Sequence, residues 1–380
     1  MAAAPGTAVA VSHGASLSRE AAADHSLLSV ACTGTSNCWA VGDYGDNDVL
    51  YSSLAERWNG ARWVVWKPPN PTTATALSAV SCVAASDCWA AGFSSSGPPS
   101  DSDSPVAEYW DGHDWQVATP PSPSASSVFD AVDCTSRTNC WYVGSSAGLA
   151  LIERWVDVTR QGPEWLVETT KNPSGATRSS LESVSCVTSS DCLAVGYYTN
   201  SSGADKTLAE RWNGSKWTVE PTPNPSRSTI NILTGLACPS SRNCTAVGYH
   251  ADGSGIRTLA EQWNGSRWKV KPTPNPSPSA LGVLTGVACT GSKNCTAVGY
   301  YAHRSDIRTL AEQWNGTRWK LERTPDPSGP TLSELNSIAC PRISECWAVG
   351  DSGKTQQTPS RTLAERRRRT KWALVPTPNP

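Results

Sequence analysis

Several residue types that protein cores and charged surfaces ordinarily use are scarce in this sequence. Its 380 residues include one methionine and two phenylalanines, only 17% are charged, and the formal net charge is -1. No apolar run approaches the roughly 18 residues of a membrane-spanning helix. A near-neutral chain also gives no bulk electrostatic reason to bind nucleic acid or an anionic membrane. We therefore expect no membrane span and no nucleic-acid partner.

Tryptophan and cysteine are abundant instead, with 18 and 14 residues. The cysteines form seven C-x5-C pairs whose first members are 50 to 52 residues apart, which indicates a repeat architecture. The pairs are Cys32/Cys38, Cys82/Cys88, Cys134/Cys140, Cys186/Cys192, Cys238/Cys244, Cys289/Cys295 and Cys340/Cys346. Seven copies of this unit fill residues 27–380. Residues 1–26 remain as an N-terminal tail, which we interpret as part of a longer export segment or as a closing strand.

Each copy contains four short β-type runs. In the copy from Leu181 to Ser226 they are LESVSC, CLAVGYY, TLAERW and KWTVEP. Asn213-Gly214 marks a hairpin between the last two runs, because both residues tolerate positive φ. The PTPNPS segment that follows cannot continue a strand ladder. Each copy is therefore expected to form four antiparallel strands.

Seven such copies predict an all-β fold, a single seven-bladed β-propeller. A right-handed β-solenoid is the alternative, but its coils are usually shorter and carry no internal Asn-Gly hairpin. The predicted blades span approximately 27–76, 77–128, 129–180, 181–232, 233–283, 284–334 and 335–380.

The repeated string C-x5-C-W-A-V-G, followed by L-A-E-R-W-N-G-x-x-W and T-P-N-P, resembles repeats of uncharacterised bacterial propeller-like proteins from high-GC genomes. The resemblance covers nearly the whole chain. It implies a propeller but no activity, since it brings no catalytic or ligand-binding residues with it. Sialidase boxes, WD40 spacing and kelch Gly-Gly doublets are absent from the sequence.

The paired cysteines favour one hairpin disulfide in each blade, because a five-residue loop places the two sulfurs opposite each other. Zinc is the alternative, but a closed zinc site takes four ligands and seven is an odd number of pairs. Seven disulfides imply an oxidising compartment, hence an extracellular or cell-surface location. The segment before Arg19 shows no recognisable signal peptide; we give the cysteines more weight.

Thirteen tryptophans flank the predicted turn between the third and fourth strands, and a glutamate recurs in the third strand of every blade. Both patterns are interpreted as structural, with each glutamate held by a hydrogen bond or an arginine. The glutamates are Glu56, Glu108, Glu153, Glu210, Glu261, Glu312 and Glu365.

Four further tryptophans break the seven-fold pattern. Trp39, Trp89, Trp141 and Trp347 follow the second cysteine, where blades 4, 5 and 6 carry Leu193, Thr245 and Thr296. Around a closed ring these four are neighbours. Because sugars stack on flat aromatic faces, the four tryptophans are predicted to include ligand-binding positions. Packing between blades is the alternative.

Signals for catalysis or metal binding are weak. The G-x-S-x-G string at Gly144–Gly148 lacks a following helix. The histidines share no repeat position, and no two are spaced as metal ligands. The acidic DYGDND loop, with Asp43, Asp46 and Asp48, lacks the full EF-hand spacing. No catalytic residue, metal or cofactor is therefore predicted.

The last repeat departs from the pattern. It has Arg366 to Lys371, RRRRTK, in place of R-W-N-G-x-x, so that hairpin is expected to be the least stable or to bind an anionic partner. Residues Thr7 to Ser12 could add a closing strand to this blade.

The function that the sequence favours is a secreted or cell-surface propeller, expected to be a monomer, that binds a carbohydrate or another extracellular ligand at one end of the ring. One alternative is a secreted glycoside hydrolase or lyase with carboxylates at the channel mouth. A structural or protein-interaction scaffold is the other.

Overall fold

The computed structural model describes residues 24–46, 49–72, 74–95, 102–157, 162–225, 228–253, 255–276, 280–327, 332–353 and 360–379. These residues form 28 β-strands in seven four-stranded units, numbered 1 to 7 in chain order. Within that part of the chain there is no helix, so none is long and apolar enough to cross a membrane.

The strands of units 1 to 4 are β1 His25–Gly34, β2 Asn37–Asp46, β3 Val49–Trp58, β4 Trp63–Trp66, β5 Thr75–Ala84, β6 Asp87–Ser95, β7 Asp103–Trp110, β8 Trp115–Ala118, β9 Ser127–Ser136, β10 Asn139–Ser146, β11 Leu149–Val156, β12 Glu164–Glu168, β13 Arg178–Thr188, β14 Asp191–Thr199, β15 Asp205–Trp212 and β16 Trp217–Val219. Those of units 5 to 7 are β17 Ile230–Ser240, β18 Asn243–Asp252, β19 Gly255–Trp263, β20 Trp268–Val270, β21 Ala280–Gly291, β22 Asn294–His303, β23 Asp306–Trp314, β24 Trp319–Glu322, β25 Leu332–Arg342, β26 Glu345–Gly353, β27 Arg361–Arg368 and β28 Lys371–Leu374.

Within each unit the four strands pair antiparallel in chain order, as the sequence predicts. Short parallel pairings also join β19 to β21 and β23 to β25. The first strands of successive units contact one another in a closed cycle that ends with β25 against β1. The first strands are thus the innermost layer of a ring, and the fourth strands lie outermost.

Ring closure uses contacts between units 7 and 1. The ring centroids of Trp347 and Trp58 lie 4.5 Å apart, and Asn336 Nδ2 donates to the carbonyl oxygen of Leu27 at 3.1 Å. The backbone N–H of His25 donates to the carbonyl of Ser360 at 3.2 Å. The strand expected from Thr7 to Ser12 lies outside the described residues.

A disulfide closes the turn between the first and second strands in every unit, which confirms the predicted pairing. In unit 1 the Cα atoms of Cys32 and Cys38 are 4.0 Å apart, in direct register across the hairpin. No described cysteine is free. The zinc alternative is therefore not needed to explain the pairs.

The two cysteines of each disulfide differ in burial. The first cysteine is half-buried in every unit, whereas the second is at most 2% exposed and packs in a hydrophobic cluster. The buried second cysteines are Cys38, Cys88, Cys140, Cys192, Cys244, Cys295 and Cys346. The second cysteine therefore anchors each disulfide in the packed core of its unit.

The W-N-G-x-x-W hairpins follow from local chemistry. In unit 1, Gly60 has φ 95°, a region that favours glycine. The Asn59 side-chain oxygen accepts from the backbone N–H groups of Ala61 and Arg62, both at 3.0 Å. The tight turn brings Trp58 and Trp63 into register, and both are buried.

Candidate functional site

The four tryptophans predicted to include stacking positions lie buried between units. Their exposed fractions are 0% or 3%: Trp39 0%, Trp89 3%, Trp141 0% and Trp347 0%. Trp39 of unit 1 packs on the hairpin pair of unit 2, with ring centroids 4.8 Å from Trp110 and 5.2 Å from Trp115. Trp39, Trp141 and Trp347 have no free ring face for a ligand and Trp89 is only 3% exposed, so the expectation of exposed stacking at these positions is corrected. Their role in the structure is to pack between units.

A cation covers three of these four tryptophans. The arginine one residue before the first hairpin-flanking position lies 4.6 to 5.4 Å from the ring centroid, in the pairs Arg57/Trp39, Arg154/Trp141 and Arg366/Trp347. Such contacts stabilise the interface through the ring quadrupole. Unit 2 has Tyr109 at this position, and its ring lies 5.1 Å from that of Trp89. The interface between units 2 and 3 therefore lacks the covering guanidinium.

A cleft of about 470 Å³ opens at this interface. Its aromatic wall comes from both units, and polar side chains complete its lining. The lining residues are Trp89, Tyr109, Val117, Ala118, Thr119, Arg137, Thr138, Trp155, Pro163 and Trp165. Its volume falls in the range of small-molecule sites, roughly 300 to 1,000 Å³. We call it the aromatic cleft.

The length of one hairpin contributes to this opening. Nine residues separate Trp155 from Trp165 in unit 3, where a regular hairpin has four. The two tryptophans remain in register across the strands, yet both are only half-buried. By comparison, Trp110 and Trp115 of unit 2 are 1% and 6% exposed. The insertion is visible in the sequence as a wider tryptophan spacing, but spacing alone does not show how exposed the two side chains are.

A short side chain on unit 2 contributes as well. The third residue after the second hairpin tryptophan reaches the next unit elsewhere: the ring of Trp66 lies 4.9 Å from that of Trp110, and Lys271 Nζ lies 5.5 Å from the centroid of Trp314. Unit 2 has Ala118 there, which is too short to cover Trp155. Sequence reasoning missed this position, although its variation from repeat to repeat was a usable signal.

The polar rim of the cleft carries a cation. Arg137 is exposed in the turn between β9 and β10 of unit 3. Burial raises the pKa of Asp87 in unit 2, and the guanidinium of Arg137 opposes that rise. The arrangement offers aromatic faces for stacking, hydroxyls for hydrogen bonds and one positive charge.

A second polar group lies in the inner layer, at the end where first strands begin and second strands end. Asp351 accepts from Ser26 Oγ at 3.1 Å and from Asn336 Nδ2 at 3.3 Å. Burial, reinforced by the charge of Asp351, raises the pKa of Asp43 and of Glu334 to about 7. Carboxyls that titrate near neutrality can exchange protons with a ligand, which is the property that acid or base catalysis requires.

The recurring glutamates form a buried ring of carboxyls, each 0% exposed. Among the described residues none pairs with an arginine, which corrects that part of the expectation; Thr362 Oγ1 of unit 7 donates to Glu56 at 3.4 Å. Burial raises the pKa of Glu108 to about 9 and that of Glu365 to about 8. Burial therefore favours the protonated form of these carboxyls, and their place inside the units is structural.

The G-x-S-x-G string and the acidic loop are the remaining sequence candidates. Ser146 of the G-x-S-x-G string bonds Ser124 and Ser127, both at 2.9 Å, in a β-turn region where Gly148 has φ 77°. Residues 47 and 48 of the acidic loop lie outside the described residues. In the described part of the chain, no three His, Cys, Asp or Glu side chains are grouped as metal ligands.

Comparison with known proteins yields structural likeness only, because no family model and no curated protein matches the sequence. YCF48 bound to D1 peptide is similar, with a TM-score of 0.53, 13% identity and coverage of 93% of this chain and 92% of that one. The GH74 xyloglucanase from Xanthomonas campestris has a TM-score of 0.57 and 12% identity over 89% of this chain and 54% of that one.

An ulvan lyase of polysaccharide lyase family PL25 is also similar, with a TM-score of 0.56 and 8% identity over 90% of each chain. Identities this low establish the architecture and nothing about activity. Taken with the ring of four-stranded antiparallel units, they show that this protein is an all-β propeller.

Proposed function

We propose that the protein is a secreted or cell-surface propeller that binds a carbohydrate, or another extracellular ligand, in the aromatic cleft. The observation that carries this proposal is the open interface between units 2 and 3, where Tyr109, Trp155 and Trp165 are only half-buried. Sugar rings stack on such faces while hydroxyls at the rim accept and donate hydrogen bonds.

Two further observations support this proposal. The seven disulfides fit an oxidising extracellular environment. Similar solved structures include a xyloglucanase and a polysaccharide lyase, which favours a carbohydrate as the ligand. The YCF48 structure is bound to a peptide, so a peptide is the competing ligand class.

Titration of neutral and acidic oligosaccharides, followed by tryptophan fluorescence and calorimetry, tests the proposal. We expect Trp165→Ala and Tyr109→Ala each to weaken binding by about 1 kcal/mol, one lost aromatic contact. Ala118→Trp should block binding by filling the cleft. The matched control is Tyr301→Ala, which removes a half-buried tyrosine from unit 6. Unchanged affinity in Ala118→Trp would place the ligand elsewhere.

A second candidate function is favoured by the inner-layer carboxyls Asp43, Glu334 and Asp351. It is a secreted hydrolase or lyase with its chemistry at the channel mouth. Asp43 and Glu334 both have pKa values raised to about 7, and Asp351 lies between two hydrogen-bond donors. Release of reducing ends, or of unsaturated products absorbing in the ultraviolet, measures the two reactions. Glu334→Gln and Asp351→Asn should abolish turnover while leaving binding in the cleft unchanged. If no polysaccharide tested is turned over, only the binding function remains.

A further inference from the structure

One end of the ring collects two kinds of turn. The second strand begins beside the end of the third strand, as the pairing of Cys244 with Trp263 shows in unit 5. The first–second turn and the third–fourth turn of each unit therefore lie at the same end. Two residues in contact confirm this. Gly265 of the third–fourth turn lies so close to Arg242 of the first–second turn that an added Cβ would meet the Arg242 side chain at 2.8 Å.

Units 5 to 7 carry exposed basic side chains on these turns and on the outer strands that leave them. We call this set the basic face. Its members are Arg242, Arg267, Lys269, Lys293, Arg318, Lys320, Arg342, Arg368, Arg369 and Lys371. Within the described residues none of the ten forms an ion pair. Their charge is therefore available to a partner.

The basic face avoids units 2 and 3. The residue before the second hairpin tryptophan is basic in five adjacent units of the ring and acidic in the other two: Lys216, Arg267, Arg318, Lys371 and Arg62 in units 4, 5, 6, 7 and 1, against Asp114 in unit 2 and Glu164 in unit 3. Units 5 to 7 add further exposed cations on the first–second turn or the fourth strand. The formal net charge of the whole chain is only -1, so the positive charge is segregated rather than diffuse. Segregated charge of one sign concentrates ligands of the opposite sign.

We propose that the basic face binds an anionic polysaccharide. Three adjacent units present cations on neighbouring turns, so a polymer with regularly spaced carboxylates or sulfates can contact several units at once. Nucleic acid presents similar charge, but seven disulfides favour an extracellular setting in which polysaccharide is the ordinary polyanion. This surface lies on other units than the aromatic cleft, so the proposal goes beyond the proposed function and does not depend on it.

Binding of the whole protein to polygalacturonate and to dextran sulfate, with neutral dextran as the reference, tests the proposal at low and at high concentrations of NaCl. We expect binding to both polyanions at low salt and a strong loss at high salt, because the contacts are exposed ion pairs. Neutral dextran should not bind. Retention of the wild-type ellipticity and melting temperature verifies the fold of every variant.

The informative variant is Arg368→Gln/Arg369→Gln/Lys371→Gln, which we expect to weaken polyanion binding about tenfold. Its matched control is Lys67→Gln/Lys171→Gln/Arg178→Gln, an equal change in charge at exposed positions near the opposite end of the units. The control should stay within about twofold of wild type. Equal losses in the two variants, no binding to either polyanion, or tighter binding to a DNA duplex would each overturn the proposal.

Discussion

The outer hairpins of units 3 and 7 both lack the W-N-G-x-x-W pattern, and the two departures have different structural results. In unit 3 the hairpin is longer and its tryptophans are half-buried beside the aromatic cleft. In unit 7, Arg367 replaces the first hairpin tryptophan and is 2% exposed. Glu322 of unit 6 pairs with Arg367 at 2.7 Å and accepts from Trp372 Nε1 at 2.8 Å.

The difference comes from the preceding unit. Glu322 and Ala118 occupy the same place, the fourth residue of the fourth strand. Glu322 supplies a partner for the altered hairpin that follows it, whereas Ala118 leaves the next hairpin uncovered. Arg366 is likewise paired, with Glu345. The repulsion expected along Arg366 to Lys371 is thus relieved at two of its residues. An irregular repeat is closed or opened according to its neighbour.

The largest expected effect is on the pH dependence of stability, and it comes from a feature that the two units share, the buried glutamate of the third strand. In the folded state burial raises the pKa of both Glu153 and Glu365 from 4.5 to about 8. Their contribution to stability is present below about pH 4.5 and is lost as pH rises through 8, because the unfolded chain releases the protons first. One pKa unit is worth about 1.4 kcal/mol. Burial raises the pKa of all seven recurring glutamates, so their combined effect is expected to be the largest. Denaturant midpoints should therefore fall as pH rises from about 5 to about 8.5.

Single substitutions measure how much of this pH effect comes from each of the two units. Glu153→Gln and Glu365→Gln should flatten the dependence of stability on pH to a similar extent, since neither amide titrates. Glu164→Gln, at an exposed position of unit 3, should leave it unchanged. A midpoint that rises with pH in wild type would show that these carboxyls are ionised in the folded protein.

The next effect separates the two units. Glu322→Gln should destabilise the protein by about 3–5 kcal/mol, because Arg367 would be left buried without a counter-charge. The double variant Glu322→Lys/Arg367→Trp would recreate the Lys271/Trp314 pair of units 5 and 6. It should therefore retain most of the stability that Glu322→Gln loses. Equilibrium denaturation measures both. If Glu322→Gln costs less than about 1 kcal/mol, the ion pair does not hold the hairpin of unit 7.

The smallest expected effect is a difference in local opening. Backbone amides of β11 and β12 in unit 3 should exchange with solvent faster than those of β27 and β28 in unit 7, because fewer side chains cover them. Hydrogen exchange read by mass spectrometry, with β15 and β16 of unit 4 as the regular reference, gives the order. Fastest exchange at residues 363–375 would instead support the sequence-based expectation of a weak last hairpin.

The sequence by itself determined the repeated unit of this protein. The spacing of Cys32 and Cys38 and of their six counterparts defined the hairpins, and Asn59-Gly60 defined the outer turn. These are local features: a short loop between two strands, or a residue that tolerates positive φ, acts within about six residues and can be read without knowledge of the rest of the chain.

The tertiary structure alone decided which side chains are accessible. In the sequence, Trp39 follows a cysteine and Trp165 flanks a hairpin turn, and both belong to repeated patterns. Trp39 is buried under the next unit, whereas Trp165 lines a cleft. Their difference depends on residues in another repeat, Trp110 and Ala118, that lie about 50 or more positions away. Burial is a property of two complementary surfaces, so a pattern within one repeat cannot specify it.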